Sequence, residues 1–302
     1  MLDLSHIPNS QQDVQIFNAI SGSNSWQTWQ KPRKCNYVWI MCIGGAGGGG
    51  GGLNQNNVVY TTGGGSGGVS RALYNAQQLP DRLYVQVGVG GAGGPPSGLG
   101  VPSPGSPGTR SWVSLLPAAT PQNLVQGSGN NVAAGGTSGA SAAGETVINQ
   151  TTATFLTLSN FIGTAGVTAG VTAVLQAPDI TPFSSQIVTQ GAGGPSWNSG
   201  APNTTYNGAS ILSSSISPLI QGGLTAPTSQ SNAGNGADGI TSWKPFFSTG
   251  GAGGGSAVSG SGGNGGNGGI GSGGGGGGGC ASPFTAGRGG RGGDGIVFIV
   301  SF

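Results

Sequence analysis

The sequence predicts a mainly β protein whose strands flank packed glycine-rich tracts of the polyglycine-II type, with little or no α-helix. Three observations carry that expectation. Glycine supplies 68 of the 302 residues, about three times its usual ~7% share. The apolar, strand-like runs lead directly into polyglycine. In several tracts the residues other than glycine recur at every third position, which is the turn period of a polyproline-II helix.

The strands come first. Asn36–Ile43 (NYVWIMCI) is rich in β-branched and aromatic residues and runs into Gly44–Gly52, the composition of a strand bounded by a breaker. Arg82–Val87 (RLYVQV) runs into Gly88–Gly94 in the same way, and Gly295–Phe302 (GIVFIVSF) closes the chain after a last glycine tract. Residues 1–32 read as a different material. They hold a single glycine, Gly22, a short mixed helix or strand at Val14–Ile20, the pair Trp26 and Trp29, and a closing Lys31-Pro32. The expected organisation is an N-terminal attachment or assembly segment over 1–32 and a glycine-rich β/polyglycine body over 33–302. Within that body, residues 145–190 are richer in Thr, Val, Leu and Ile and read as a small β subdomain or an insertion. GGAGG recurs at Gly44–Gly48, Gly90–Gly94 and Gly250–Gly254, with a near copy at Gly191–Gly194. The intervals are unequal, so this is not a regular solenoid.

The tracts themselves need a physical account. A polyproline-II helix makes no internal hydrogen bonds, so its N–H and C=O groups must find partners elsewhere. Glycine also loses more backbone entropy on folding than any other residue. Such tracts therefore order only when packed against one another or against a neighbouring subunit, which points to a compact stack, a homo-oligomer (a trimer being one option), or both. In Gly262–Gly271 the side chains fall at Asn264, Asn267 and Ile270, on one edge of such a helix, and Gly262, Gly263, Gly265, Gly266, Gly268 and Gly269 are the expected structural glycines. Arg288, Arg291 and Asp294 repeat the spacing.

Composition narrows the function classes. Charged residues are 5% of the chain and the net charge is +2, too weak a field to attract nucleic acid. Low charge combined with six Trp, nine Phe and five Tyr also argues against disorder, which favours few aromatics. Cys35, Cys42 and Cys280 show no CxxC spacing and His6 is the only histidine, so neither a disulfide framework nor a zinc site is expected. Residues 1–20 carry Asp3, His6 and Asp13 where a signal peptide would be apolar. The runs Tyr37–Ile43 and Gly295–Phe302 are too short to cross a bilayer, so no membrane insertion is expected. The acids Asp3, Asp13, Asp81, Glu145, Asp179, Asp238 and Asp294 are scattered and form no catalytic pair. Gly88, Gly90 and Gly93 match GxGxxG after a strand, but Pro95-Pro96 follow where the helix of a dinucleotide fold should start. Arg288-Gly-Gly-Arg291-Gly-Gly resembles an RNA-binding RGG box of only two repeats, and reads better as arginine on the rim of a glycine helix. No enzyme activity, catalytic residue, metal or cofactor is expected.

Trp29, Pro32, the strand Tyr37–Ile43 entering polyglycine, Gly63–Gly68 (GGGSGG), Leu79-Pro80, Leu83–Val87 with VGVGGAGG, and the ending Gly289–Val300 (GGRGGDGIVFIV) follow in a recognisable order. Over residues 29–110 and 250–302 the chain resembles a glycine-rich domain frequent in bacteriophage tail proteins; the Thr/Val-rich middle departs from it. The resemblance implies a structural virion protein of the tail, such as a tail fibre, tail tip or adhesin. Such a protein is made in the host cytoplasm and presents loops to a host cell-surface glycan or outer-membrane protein. Other tail or capsid proteins would be its partners through the N-terminal segment. A decoration or head-fibre protein without a receptor is the alternative. The aromatics in Pro195–Asn207 and Ile240–Ser248 sit between turn residues, as exposed loop tips do, so Trp197, Tyr206, Trp243, Phe246 and Phe247 are the candidate receptor contacts.

Overall fold

The computed structural model describes residues 13–20, 25–54, 60–98, 102–118, 123–127, 157–161, 179–182, 187–195, 205–226 and 231–302. The strands are β1 (Asp13–Asn18), β2 (Gln27–Gln30), β3 (Tyr37–Ile43), β4 (Val69–Asn75), β5 (Arg82–Gln86), β6 (Ser111–Ser114), β7 (Asn123–Gly127), β8 (Thr157–Phe161), β9 (Thr241–Trp243), β10 (Phe246–Ser248) and β11 (Ile296–Ser301). Among the described residues the only helical turn is a short 3-10 segment at Ala76–Gln78. The fold is mainly β, with polyglycine-II tracts leaving the strands.

Two antiparallel sheets form a base. One has the order β1-β11-β3-β4-β8 and the other β2-β5-β6-β7. Val38, Ile40, Cys42, Val297 and Ile299 of the first sheet pack on Trp29, Leu83, Val85 and Val113 of the second. The opposite face of the first sheet, with Trp39, Met41, Ile43, Ile296, Phe298 and Val300, is covered by Ile187, Val188, Phe246 and Ile270. β11 is buried along its whole length and β3 beyond Tyr37. Burial on both faces explains why these strands read as continuous apolar runs rather than as alternations.

The described residues of the N-terminal zone take part in both sheets. Its described residues do not form a segment apart from the body. β1 pairs antiparallel with β11, from Asp13 opposite Ser301 to Asn18 opposite Ile296, and β2 pairs with β5. Trp29 is fully buried, and the Lys31 N–H donates to the Asp81 carbonyl (2.8 Å). Among the described residues Trp29 is the largest fully buried side chain, and it packs in the core between the two sheets. Of residues 145–190, β8 joins the first sheet beside β4, and most of the remainder lies outside the described residues.

The strands continue as glycine tracts whose hydrogen bonds step by three. Gly275, Gly276 and Gly277 donate in succession to Gly266 O, Ala192 O and Gly50 O, each at 2.8 Å, so three consecutive residues point to three different neighbours. The bonding pattern sorts the tracts into three layers. The middle layer runs 220–226, 249–257, 272–280, 44–53 and 102–109. One outer layer runs 232–240, 261–270, 287–294 and 88–97. The other runs 205–211, 189–195 and 60–68. Neighbours within a layer mostly run the same way: 220–226, 249–257, 272–280 and 44–53 all leave the base, and 232–240, 261–270 and 287–294 all return to it. Thus 272–280 is parallel to 44–53 (Gly274 to Gly47, Gly277 to Gly50) and antiparallel to 287–293 (Gly290 to Gly275, Gly287 to Gly278). Gly271, at φ 63°, makes the sharp reversal between 261–270 and 272–280, a left-handed geometry that disfavours any residue with a Cβ.

Candidate functional site

The layered bundle has two unlike ends. At the base end lie both sheets, the β9–β10 hairpin and the 212–219 turn. At the distal end tracts 44–53, 88–97, 189–195 and 220–226 finish and tracts 60–68, 102–109, 205–211 and 232–240 begin, and the chain reverses at 258–260 and 281–286. The candidate aromatics divide between these ends. Tyr206 is held near the distal end, its N–H donating to Ser256 Oγ (2.8 Å) and its carbonyl accepting from the Ser256 N–H (3.0 Å). Trp197 lies outside the described residues, in the connection between Pro195 and Thr205. Trp243, Phe246 and Phe247 belong to the base.

Within the hairpin the three rings have different surroundings. Trp243 pairs with Phe246 across the ribbon, and Phe247 with Ser242. Side chains alternate faces along a strand, so Phe246 and Phe247 point opposite ways. Phe247 is 6% exposed, which makes it a core residue and not a loop-tip contact. Phe246 is half-buried with its ring edge-on to Phe298 (centroids 5.3 Å apart). Trp243 remains 52% exposed while its inner edge meets Phe298 at 6.3 Å. The structure therefore does not gather the five residues into one surface, and of the hairpin aromatics only Trp243 offers much of its face to a partner.

Besides Trp243 the base carries further exposed apolar side chains. Val14 and Ile16 point to the same face of the first sheet as Val300 and Phe298, their register partners, and are 43% and 46% exposed. Tyr37, stacked at 5.9 Å on Phe302, and Leu115 and Leu116 after β6 are exposed as well. β1 is also an edge strand, with one side of its backbone unpaired by any described strand.

The six candidate structural glycines lie in tract 261–270. Gly262, Gly265 and Gly268 donate to the carbonyls of Thr285, Arg288 and Arg291, and Gly263, Gly266 and Gly269 to those of Gly255, Ala252 and Thr249. A Cβ at Gly265 would fall on the Gly275 carbonyl, and one at Gly266 on that of Ala237. The third position of each turn faces water, and there the side chains stand. A rank at Asn232, Asn235 and Asp238 faces the same way on the next tract. It carries the same period-three spacing in the sequence, the signal by which it could have been found.

The motif-like glycines have structural partners. Gly88, Val89 and Gly90 donate their N–H groups to Ser111 Oγ, Thr109 Oγ1 and Asp294 Oδ1, and Gly91 donates to Ala46 O. A phosphate would find these donors occupied. In the RGG-like stretch Arg291 forms an ion pair with Asp294. Among the described residues no group of three His, Cys, Asp or Glu is placed to hold a metal. Cys42 and Cys280 are buried, Cys35 is half-buried, and none of the three is in a disulfide. Burial pushes the Cys280 thiol up to about 11, with a backbone hydrogen bond from Gly262 opposing it.

No curated protein matches the chain. The glycine-rich domain family matches it over residues 21–301, which takes in the bundle and every strand but β1, and the chain belongs to that family.

Proposed function

We propose that the chain is a structural virion protein of a bacteriophage tail, a fibre-tip or adhesin component. Its base docks on the particle and its distal turns face the host cell. The observation that carries this reading is the polarity of the molecule. Among the described residues, exposed large apolar side chains (Val14, Ile16, Tyr37, Leu115, Leu116, Trp243) are concentrated around the sheets, with Leu224 in tract 220–226 an exception, and exposed apolar surface of that kind marks protein–protein contact. The opposite end is built from reversals between rigid tracts, the arrangement in which loops carry recognition while a scaffold holds them. The resemblance to tail proteins supplies the virus. On this reading the host ligand is a cell-surface glycan or an outer-membrane protein.

The two ends can be tested separately. Purified protein is labelled, and its binding to intact candidate host cells is measured for wild type, Trp197→Ala and Trp243→Ala. Trp197→Ala should weaken cell binding, while Trp243→Ala should leave cell binding intact and reduce incorporation into particles or the oligomeric state. Unchanged cell binding by Trp197→Ala, together with normal incorporation of Trp243→Ala, would overturn the proposal. Incorporation without any cell binding would favour the decoration or head-fibre reading.

A further inference from the structure

The outer layer formed by 232–240, 261–270, 287–294 and 88–97 presents a face that neither end accounts for. Along each tract the outward side chains are about 9 Å apart, three residues at ~3.1 Å rise, and the positions between them in 261–270 and 287–293 are glycine. Nothing rises between the ranks of these two tracts, so the face is flat there; tract 232–240 adds the exposed methyl of Ala237, and tract 88–97 the exposed Ala92 and Pro95.

Each outward residue should also turn its own N–H toward water. Instead, the outward side chain of the adjacent tract takes it. Asn232 Oδ1 accepts from Ser261 N (2.9 Å), Asn235 Oδ1 from Asn264 N (2.8 Å), and Asp238 Oδ1 from Asn267 N (2.6 Å). One tract further on, Asn264 Oδ1 accepts from Arg288 N (2.8 Å) and Asn267 Oδ1 from Arg291 N (2.9 Å). The consequence is chemical. Every asparagine on this face has its carbonyl oxygen directed at the bundle, so the group it turns to solvent is the amide NH2, a pure donor. Arg288 adds a guanidinium, which has no carboxylate partner among the described residues, since the Arg291 ion pair takes Asp294.

We propose that this face is a binding surface for a linear, carboxylate-bearing polysaccharide. Arg288 would grip a carboxylate in the bidentate manner that a guanidinium favours, and the amides of Asn232, Asn235, Asn264 and Asn267 would donate to hydroxyl and ring oxygens along the chain. Several features select this partner. The four asparagines present only donors, while the carboxylates of Asp238 and Asp294 lie toward the base-ward end of the face. A row of donors needs an acceptor-rich ligand, and its repeat along the tracts suits a polymer of repeating units. The side chains are already fixed by their bonds to the backbone, so little rotamer freedom is lost on binding. Nucleic acid is disfavoured, because one free guanidinium cannot replace the counterions of several phosphates. The inference does not depend on a virion role.

The bonding pattern also supplies the test. Asn→Asp keeps the oxygen that caps the neighbouring N–H, turns the outward donor into an acceptor and adds a negative charge, so it should weaken an acidic ligand on both counts. Binding of hyaluronan, polygalacturonate and alginate fragments is measured by titration calorimetry, with neutral dextran as the control. The full-length protein is compared with Asn235→Asp/Asn264→Asp, with Arg288→Gln, and with Asn207→Asp. Asn207 caps Thr225 N in the same way (2.8 Å) but belongs to the opposite outer layer. Wild type should bind at least one acidic polysaccharide tenfold or more tightly than dextran. The double variant should lose at least tenfold and Arg288→Gln at least fivefold, while Asn207→Asp binds as wild type. If the double variant does not fold, Arg288→Gln decides, since its backbone cap is untouched. Three results would overturn the proposal: no binding to any of the three acidic polymers, equal loss with Asn207→Asp, or concentration-dependent self-association that the double variant abolishes. The last would show the face to be a contact between copies of the chain.

Discussion

Tracts 272–280 and 261–270 lie side by side in opposite directions, joined by Gly275 N–H to Gly266 O and Gly278 N–H to Gly263 O. They share a hydrogen-bonding period but not a sequence. The first reads SGGGGGGGC and is buried throughout; the second reads SGGNGGNGGI, with Asn264 and Asn267 exposed. The difference is one of position. Tract 272–280 bonds to 44–53, 60–68, 189–195, 249–257, 261–270 and 287–293, which surround it. Tract 261–270 has one open side, and side chains appear there and nowhere else along its glycine stretch. In this bundle the number of open sides decides how many residues per turn can be other than glycine. The small exceptions, such as Ser272 and Ala252, fit where the local gap admits a hydroxyl or a methyl.

The sharpest way to break that rule is Gly275→Val. A Cβ there falls on the Ala252 carbonyl, and the neighbours are backbone atoms that cannot swing away. The cost should exceed the ~1–3 kcal/mol of ordinary overpacking and remove the cooperative unfolding transition in a denaturant titration. A folded, wild-type-like variant would mean that the centre of the bundle is loose. Next in size comes the base, where stability rests on side chains instead of backbone contacts. Phe298→Ala removes a ring 2% exposed and should cost about 3–5 kcal/mol in the same titration.

Cys280, at the distal limit of the central tract, gives a smaller, pH-dependent effect. Its thiol is raised from 9.0 to about 11, chiefly by burial. Unfolded chains therefore release this proton first, so the thiol's contribution is complete below pH 9 and is lost as pH rises toward 11. Thermal melts across that window should fall more steeply for wild type than for Cys280→Ala; parallel curves would remove the effect. The smallest change is expected on the open side of tract 261–270. Asn264→Ser loses one hydrogen bond to an N–H that water can reach, about 1 kcal/mol or less. A drop in melting temperature as large as that of Phe298→Ala would show that the open side is structural after all.

Parts of this architecture were legible in the residues. Tyr37–Ile43 and Ile296–Ser301 declare themselves as strands because unbroken apolar, β-branched runs have few other solutions, and the Asn264/Asn267/Ile270 spacing reveals a helix of period three with one open edge. Other parts were hidden. The zone before Lys31 looked separate because Gly22 is its single glycine, yet β1 pairs with β11, Asp13 against Ser301, and no local pattern reports a partner so distant. Phe246 and Phe247 looked alike as loop aromatics, and a two-strand ribbon sent them to opposite faces.

By itself the sequence determined that glycine tracts must pack, since their backbones have no internal partners, and which tracts carry an edge of side chains. Only the tertiary structure decided which tract lies beside which. The bonds that join them run between backbone groups common to every glycine, so the neighbours of Gly275 are set not by any side chain of its own but by the strands, turns and capping side chains that fix each tract in register.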